Sequence, residues 1–228
     1  MKPADWIIVD DAHAAQMAER ARLLENLRDN VLAMDESARP AAEELLQAVL
    51  DVLAGRPDHR VTQESVLRPD GVTVTLGRYD PMATLGHLVQ QDLCLMEKHG
   101  NEHVLTAAVL CFPASWTLEE KFLRPLTGIH VPVDEYDDTM ARRVQRLFDG
   151  VQVGRPIWRF NALWYADPVL HQPRRENERR PERHAVESRY LRTERQSILR
   201  LPKTGAVVFG IHTSVLEQAT VRALWPEA

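Results

Sequence analysis

The chain has 228 residues, 44% of them hydrophobic and 27% charged, and a net charge of −5. This composition is typical of one well-filled globular core, and the negative charge argues against nucleic acid as the main partner. The two cysteines, Cys94 and Cys111, lie in apolar runs, so buried thiols are expected rather than a disulfide framework. We expect a cytoplasmic protein, because no apolar run reaches the roughly 18 residues of a membrane helix and the N-terminus lacks a signal-peptide pattern.

Helical periodicity dominates the first quarter of the chain. Apolar residues recur at helical spacing over 11–32 and again over 38–54, where Gly55 ends the pattern. The period then changes to two on either side of a Pro-Asp-Gly turn at 69–71, which predicts a β-hairpin. The N-terminal part is therefore expected to be a helical pair followed by a hairpin.

The central region alternates strands and short helices. Strands are predicted over 92–97 and 103–112, and the second is apolar enough to be buried on both faces. A capping-box pattern predicts a short helix at 118–124, and a second helix is predicted at 139–149.

The C-terminal third predicts more strands. One strand is expected within 155–168, and two further strands, at about 188–201 and 206–213, precede a final helix at 214–224. The segment 174–183 holds five Arg and three Glu and nothing apolar, which predicts a solvated or disordered loop.

These elements predict an α+β fold in a single domain over 1–228. Five or six mostly antiparallel strands form a sheet with flanking helices, and the N-terminal helical pair covers about 11–54. The C-terminal meander is expected to close a pocket against one face of the sheet.

His130 is the histidine whose surroundings suggest a role in binding. It lies in the apolar stretch "LTGIHVPV", between Ile129 and Val131. Such an imidazole can be a core histidine with its hydrogen bonds satisfied, or it can present a nitrogen to a metal or haem iron. The residues alone leave both interpretations open.

Three polar residues, Glu194, Arg195 and Gln196, stand where a buried strand begins. Strand alternation puts Glu194 and Gln196 on one face and Arg195 on the other, with Arg192 as one possible neighbour of Arg195. They can form a compensating ion pair or a network at the strand edge. Alternatively, Arg195 holds an anionic group while Glu194 serves a cationic ligand or a proton.

Five segments in fixed order carry a resemblance to a known family. They are "QDLCLM" (91–96), "AAVLCFPASWTLEEKFLRPLTGIHVPV" (107–133), "RVQRLFDGVQVGRPIWRFN" (143–161), "DPVLHQP" (167–173) and "RTERQSILRLPKTGAVVFGIHT" (192–213). Together they resemble the haem-dependent oxidative N-demethylase family. The resemblance covers about 60–220 and implies an antiparallel PAS-like core that binds haem b.

The resemblance also implies an activity. Proteins of this family use dioxygen and electrons to oxidise an N-methyl group of a small secondary amine, which releases formaldehyde and the shorter amine. Electrons are expected from NADPH through separate flavin and iron–sulfur proteins, so a reductase partner is implied. No membrane and no nucleic acid partner is expected.

By the same resemblance, His130 is the expected iron ligand or haem-pocket residue. Arg195 is expected to pair with a haem propionate, and Glu194 to hold a substrate ammonium or relay a proton. The expected walls of the cofactor site are Phe112, Trp116 and Trp158.

Two positions depart from the family pattern. Ala162 follows Asn161 where a tryptophan is usual, which favours a larger amine if that tryptophan lines the substrate pocket. His212 stands where an arginine is usual, and it is an alternative candidate for the iron ligand. Two other functions stay open beside the demethylase: a non-catalytic haem- or ligand-binding PAS-type sensor, and a relic that binds no cofactor.

Overall fold

The computed structural model describes residues 4–77, 79–129, 138–178 and 188–226, with the backbone alone at 138–141. In the described part, the α-helices are α1 (His13–Asn26), α2 (Arg28–Val31), α3 (Arg39–Ala54), α4 (Pro81–Leu88), α5 (Leu118–Lys121), α6 (Leu126–Ile129), α7 (Asp138–Gly150) and α8 (Gln218–Leu224). The β-strands are β1 (Leu32–Met34), β2 (Arg60–Val61), β3 (Ser65–Leu67), β4 (Thr73–Thr75), β5 (Asp92–His99), β6 (Glu102–Val109), β7 (Ile157–Tyr165), β8 (Tyr190–Arg200) and β9 (Val207–Glu217).

A six-stranded antiparallel sheet organises the fold. Its strand order is β1-β6-β5-β9-β8-β7, and β2, β3 and β4 form a separate three-stranded sheet. The predicted α+β class with an antiparallel sheet, flanking helices and an N-terminal helical pair is confirmed. The hairpin with its turn at 69–71 is confirmed as β3 and β4, and Gly71 there has a φ of +80°, which favours glycine. The expectation of one domain stays a prediction.

The end of the chain differs from the sequence-based expectation. A helix was expected from residue 214, but β9 continues to Glu217 and α8 begins at Gln218. Ser214 pairs with Thr193 and Glu217 with Tyr190 on β8. The long neighbouring strand therefore supplies backbone partners that outweigh the local helical pattern.

The two faces of the large sheet are covered differently. On the face that we call the helix-covered face, Leu93, Leu95 and Val109 pack in one core with α1, α3 and α4. On the face that we call the cavity face, Cys94 and Met96 belong to a second core that includes residues of α6 and α7. Strand alternation produces this division, and the prediction that β6 is buried on both faces is confirmed.

A buried ion pair fixes the N-terminal helices to the sheet. Arg20 of α1 and Asp92 of β5 are 0% and 1% exposed, and Arg20 Nη1 lies 2.6 Å from Asp92 Oδ1. The same carboxylate accepts hydrogen bonds from the backbone N–H groups of Cys111 (2.7 Å) and Phe112 (2.8 Å). Asp92 therefore joins three segments through one charge, and neither member of the pair is singled out by a sequence pattern.

A second polar contact ties the N-terminal segment to β9. The Nε2 of His212 lies 2.8 Å from Asp10 Oδ2, and Gln90 Nε2 donates to Asp10 Oδ1 at 2.8 Å. Burial raises the pKa of Asp10, but the hydrogen bonds from His212 and Gln90 outweigh it and lower the pKa to about 2. His212 thus lies on the helix-covered face, where it holds residues that precede α1.

Within the described residues, no helix combines the length and the apolar character that a membrane span requires.

Candidate functional site

A cavity of about 300 Å³ lies against the cavity face of the large sheet, beneath α5, α6 and α7. This volume lies at the lower end of the range for small-molecule sites. Its wall is mainly apolar and includes Cys94, Met96, Leu105, Trp116, Leu126, Ile129, Val144, Leu147, Phe148, Ile198, Phe209 and Ile211. The prediction of a pocket against one sheet face is confirmed.

The apolar wall follows from two periodicities. Alternate residues of β5, β8 and β9 point to the same side of the sheet, so each strand contributes every second side chain. Helix α7 contributes Val144, Leu147 and Phe148, whose spacing of three and four residues forms one stripe. Burial raises the pKa of the Cys94 thiol well above its usual value, so Cys94 contributes a neutral, weakly polar surface.

A strip of polar side chains crosses this wall on β7 and β8. Arg159 Nε donates a hydrogen bond to Gln196 Oε1, and Gln196 Nε2 donates to Glu194 Oε2 at 3.0 Å. All three residues line the cavity, and Glu194 is only 9% exposed. Neighbouring strands thus place a guanidinium, an amide and a carboxylate in hydrogen-bonded order along the cavity.

Arg192 compensates the charge of Glu194 from the same side of β8. Its Nε lies 3.6 Å from Glu194 Oε1, and its two Nη atoms donate to the carbonyls of Leu170 (2.8 Å) and Phe112 (2.7 Å). Arg192 and Glu194 are two apart on β8 and therefore share a face, whereas Arg195 is three residues from Arg192 and points to the other face. The expectation that Arg192 neighbours Arg195 is therefore wrong.

Three of the predicted cofactor-binding residues lie outside the cavity. Arg195 points to the opposite side of β8, with its guanidinium carbon 5.4 Å from the centre of the Trp158 ring, and Trp158 is 54% exposed. Phe112 is buried in the core on the helix-covered face, 5.5 Å from the guanidinium of Arg20. Of the predicted site residues, the structure brings Trp116 and Glu194 together in the cavity wall.

His130, the predicted iron ligand, lies outside the described residues. Ile129, which precedes it, ends α6 and lines the cavity. The alternative ligand His212 lies on the helix-covered face with Asp10. Ala162, the other departure from the family pattern, lies on the side of β7 opposite Arg159, because the two residues are three apart on a strand.

Besides Arg159, three charged residues of the cavity are missed by sequence patterns: Lys121, Arg174 and Glu176. Lys121 Nζ donates to the Ile129 carbonyl at 2.6 Å and to Glu176 Oε1 at 2.5 Å. Arg174 Nη1 donates to the Glu178 carbonyl at 2.5 Å. In the described part of the chain its buried Nε has no hydrogen-bond partner.

The expectation of a solvated loop at 174–183 is confirmed for its described residues, which form no helix or strand and are exposed at 175–178. The same loop also contributes to the cavity wall. Arg174 and Glu176 line the cavity, and Arg175 pairs with Glu119 at 3.1 Å. The sequence pattern does not indicate these contacts, because the residues that pair with Arg175 and Glu176 lie more than 50 positions earlier in the chain.

The described residues contain no group of three or more His, Cys, Asp or Glu side chains that could hold a metal ion. A single side chain is enough to ligate haem iron, so a haem site requires no such group.

One comparison assigns the chain to a family. The family model for haem-dependent oxidative N-demethylase, alpha subunit-like, matches residues 1–225. This match covers nearly the whole chain and confirms the resemblance seen in the sequence segments. The chain belongs to the haem-dependent oxidative N-demethylase, alpha subunit-like family.

Proposed function

We propose that the chain binds haem b in the cavity and catalyses oxidative N-demethylation of a small secondary amine. The family supports haem dependence and the reaction class. The observation that carries the proposal is an apolar cavity with one buried carboxylate, Glu194, facing into it. An apolar site with few placed polar groups is the usual form of a small-molecule site.

The chemistry of the residues in the cavity wall fits haem b. A flat, mainly apolar macrocycle suits the wall formed by Met96, Trp116 and Phe148, and its carboxylates need cationic donors. Arg174 offers such a donor, because its buried Nε has no hydrogen-bond acceptor among the described residues. On the family resemblance we propose His130 as the iron ligand.

The proposed reaction balances as a monooxygenation. When bound, haem supplies the activation of dioxygen. A C–H bond of the N-methyl group is replaced by a C–O bond with one oxygen atom, and the other oxygen leaves as water with two electrons and two protons. We propose that the electrons come from NADPH through separate flavin and iron–sulfur proteins. The resulting carbinolamine then breaks its C–N bond and yields formaldehyde and the shorter amine.

Glu194 is the proposed partner of the substrate nitrogen. A carboxylate that accepts one hydrogen bond from Gln196 retains further lone pairs for an ammonium group. The breakdown of a carbinolamine removes a proton from the hydroxyl and adds one at nitrogen, and a carboxylate beside the nitrogen can carry that proton. The Nε of Arg192 lies 3.6 Å from Glu194 Oε1, too far for a hydrogen bond that would occupy this oxygen.

The first test is a titration of the purified chain with ferric haem, followed by turnover. We expect a sharp Soret band that saturates at about one haem per chain, because the proposal places one haem in the cavity. With dimethylamine, dioxygen and an electron-donating ferredoxin system, we expect formaldehyde and methylamine in equal amounts. Weak, non-saturating haem uptake would overturn the haem site. Stoichiometric haem that is reduced by the donor without formaldehyde from any N-methyl amine would favour the sensor function.

A further inference from the structure

The charges that line the cavity do not balance within the described chain. Two carboxylates face it, and each has a cationic partner: Glu176 lies 2.5 Å from Lys121, and Glu194 lies 3.6 Å from Arg192. Two more guanidinium groups, Arg159 and Arg174, also line it. The cavity therefore holds more positive than negative charge among the residues that the structure describes.

Arg159 and Arg174 have neutral oxygen acceptors instead of carboxylates in the described part of the chain. Arg159 donates to the amide oxygen of Gln196, and Arg174 donates to the carbonyl of Glu178. A guanidinium carries five N–H donors, so most donors of both groups remain for a ligand. The Nε of Arg174 is the most informative of them, because it is buried and unsatisfied, and a buried donor without an acceptor destabilises the protein.

We propose that Arg159 and Arg174 are the anchors for the two carboxylates of a dianionic ligand. The proposal rests on the proposed function, in which those carboxylates are the two haem propionates. A guanidinium binds a carboxylate through two parallel hydrogen bonds, which fixes the orientation of the ligand as well as its charge.

The position of the two anchors agrees with this role. Arg159 is exposed and Arg174 is half-buried, so both residues lie at the border between solvent and the apolar wall. A ligand with an apolar body and charged ends is bound most favourably with the body inside and the charges toward water. Arg195, which the family resemblance implies for a propionate, lies on the other side of β8, where it stacks on Trp158.

The test compares two ligands that differ only in charge. Ferric haem and its dimethyl ester are titrated, in the same mixed solvent, into the wild type, Arg159→Gln, Arg174→Gln and the double variant. Each single change is expected to weaken haem binding about tenfold, the lower end of the effect of a charged hydrogen bond, because neither residue is fully buried. The ester, which lacks the two negative charges, is expected to bind all four proteins equally well.

Two further variants complete the design. Arg22→Gln, at an exposed position on α1, serves as the matched control and is expected to leave both affinities unchanged. Arg159→Lys and Arg174→Lys keep the positive charge but lose the planar guanidinium that binds a carboxylate through two hydrogen bonds. Each is therefore expected to bind haem more tightly than the matching Gln variant and more weakly than the wild type. The urea midpoint of each variant is measured in parallel, so that a folding defect is recognised.

Several outcomes overturn the anchors. They are overturned if the Gln variants bind haem as tightly as the wild type does, or if the affinity for the ester falls as much as the affinity for haem. They are also overturned if Arg195→Gln is the one variant that loses affinity for haem and keeps its affinity for the ester. A wild type that binds the ester as tightly as haem overturns the anchors and leaves the haem site standing. A wild type that takes up neither ligand overturns the proposed function and the anchors together.

Discussion

The two faces of the large sheet use charged residues for different purposes. Where α1 of the helix-covered face meets the end of β5, Arg20 and Asp92 are fully buried and pair with each other at 2.6 Å. On the cavity face, Arg159 and Arg174 have no carboxylate partner among the described residues. The charges that hold the fold together are compensated within the chain, whereas these two guanidinium groups on the cavity face have only neutral oxygen acceptors among the described residues.

The physical reason is the cost of burying charge. An ion removed from water must be compensated, and breaking one partner of a buried pair leaves the other uncompensated. Arg20 and Asp92 meet this condition permanently, and Asp92 also satisfies two backbone N–H groups. A partly exposed guanidinium group does not need a carboxylate partner in the same way, because water accepts hydrogen bonds from its exposed donors when no ligand is bound.

Asp92→Ala should weaken the attachment of the N-terminal helices to the sheet and have the largest effect. It leaves Arg20 buried without a counter-charge and removes the acceptor of two backbone N–H groups. We expect a loss of about 3–5 kcal/mol in the free energy of unfolding, measured by urea denaturation.

The control for this change is Glu19→Ala, which breaks the exposed pair of Glu19 with Arg22 and should leave the urea midpoint unchanged. If Asp92→Ala is too unstable to purify, Asp92→Asn keeps one acceptor and should show a smaller loss. An Asp92→Ala protein that unfolds at the wild-type urea concentration would contradict the assigned role.

Glu194→Gln should affect the cavity face through its chemistry. The neutral amide cannot pair with an ammonium group, so we expect kcat/KM for dimethylamine to fall about 10- to 100-fold while haem affinity stays unchanged. The measurement is the rate of formaldehyde release at several amine concentrations. The same substitution at Glu217, exposed at the end of β9, is the control and should have no effect. Unchanged kinetics for Glu194→Gln would remove Glu194 from the site.

Asp10→Asn should change how the stability of the helix-covered face depends on pH. The folded pKa of Asp10 is about 2, below the usual 3.8, so its carboxylate stabilises the fold above pH 4. This contribution is lost as the pH falls from about 4 to about 2. We expect it to be about 1–2 kcal/mol, reduced by solvent screening at this partly exposed group.

The measurement for Asp10 is the free energy of unfolding in urea at several pH values between 2 and 7. Asp10→Asn should flatten the decline between pH 4 and 2, and His212→Gln should flatten it in part, because the hydrogen bond from His212 helps to lower the pKa. A variant with the wild-type decline would show that another carboxylate causes it.

Much of the fold could be predicted from local pattern. Helical spacing located α1 and α3, and alternation with turn residues located the β3–β4 hairpin, because these signals depend on neighbours in sequence. Alternation also placed Glu194 and Gln196 on one face correctly. The end of β9 was missed because its partner is another strand, which no local pattern contains.

The composition of the cavity depended on contacts that sequence patterns do not encode. Phe112 and Trp116 belong to one short motif, yet Phe112 packs on the helix-covered face and Trp116 lines the cavity. Between them Ser115 has a φ of +66°, an unusual backbone conformation that redirects the chain. Arg174 was missed for a similar reason, since its place in the cavity wall follows from how a charged loop packs against α5.

Trp158→Leu should have the smallest effect and tests the assignment of the faces directly. Trp158 is 54% exposed and contacts the guanidinium of Arg195 on the side of β7 and β8 away from the cavity. Loss of an exposed cation–π contact should lower the free energy of unfolding by at most about 1 kcal/mol and leave haem affinity unchanged. Trp116→Leu is the matched control, since the same substitution in the cavity wall should weaken haem binding. If Trp158→Leu weakens haem binding and Trp116→Leu does not, haem lies on the other side of the sheet. The contrast between the two faces would then be reversed.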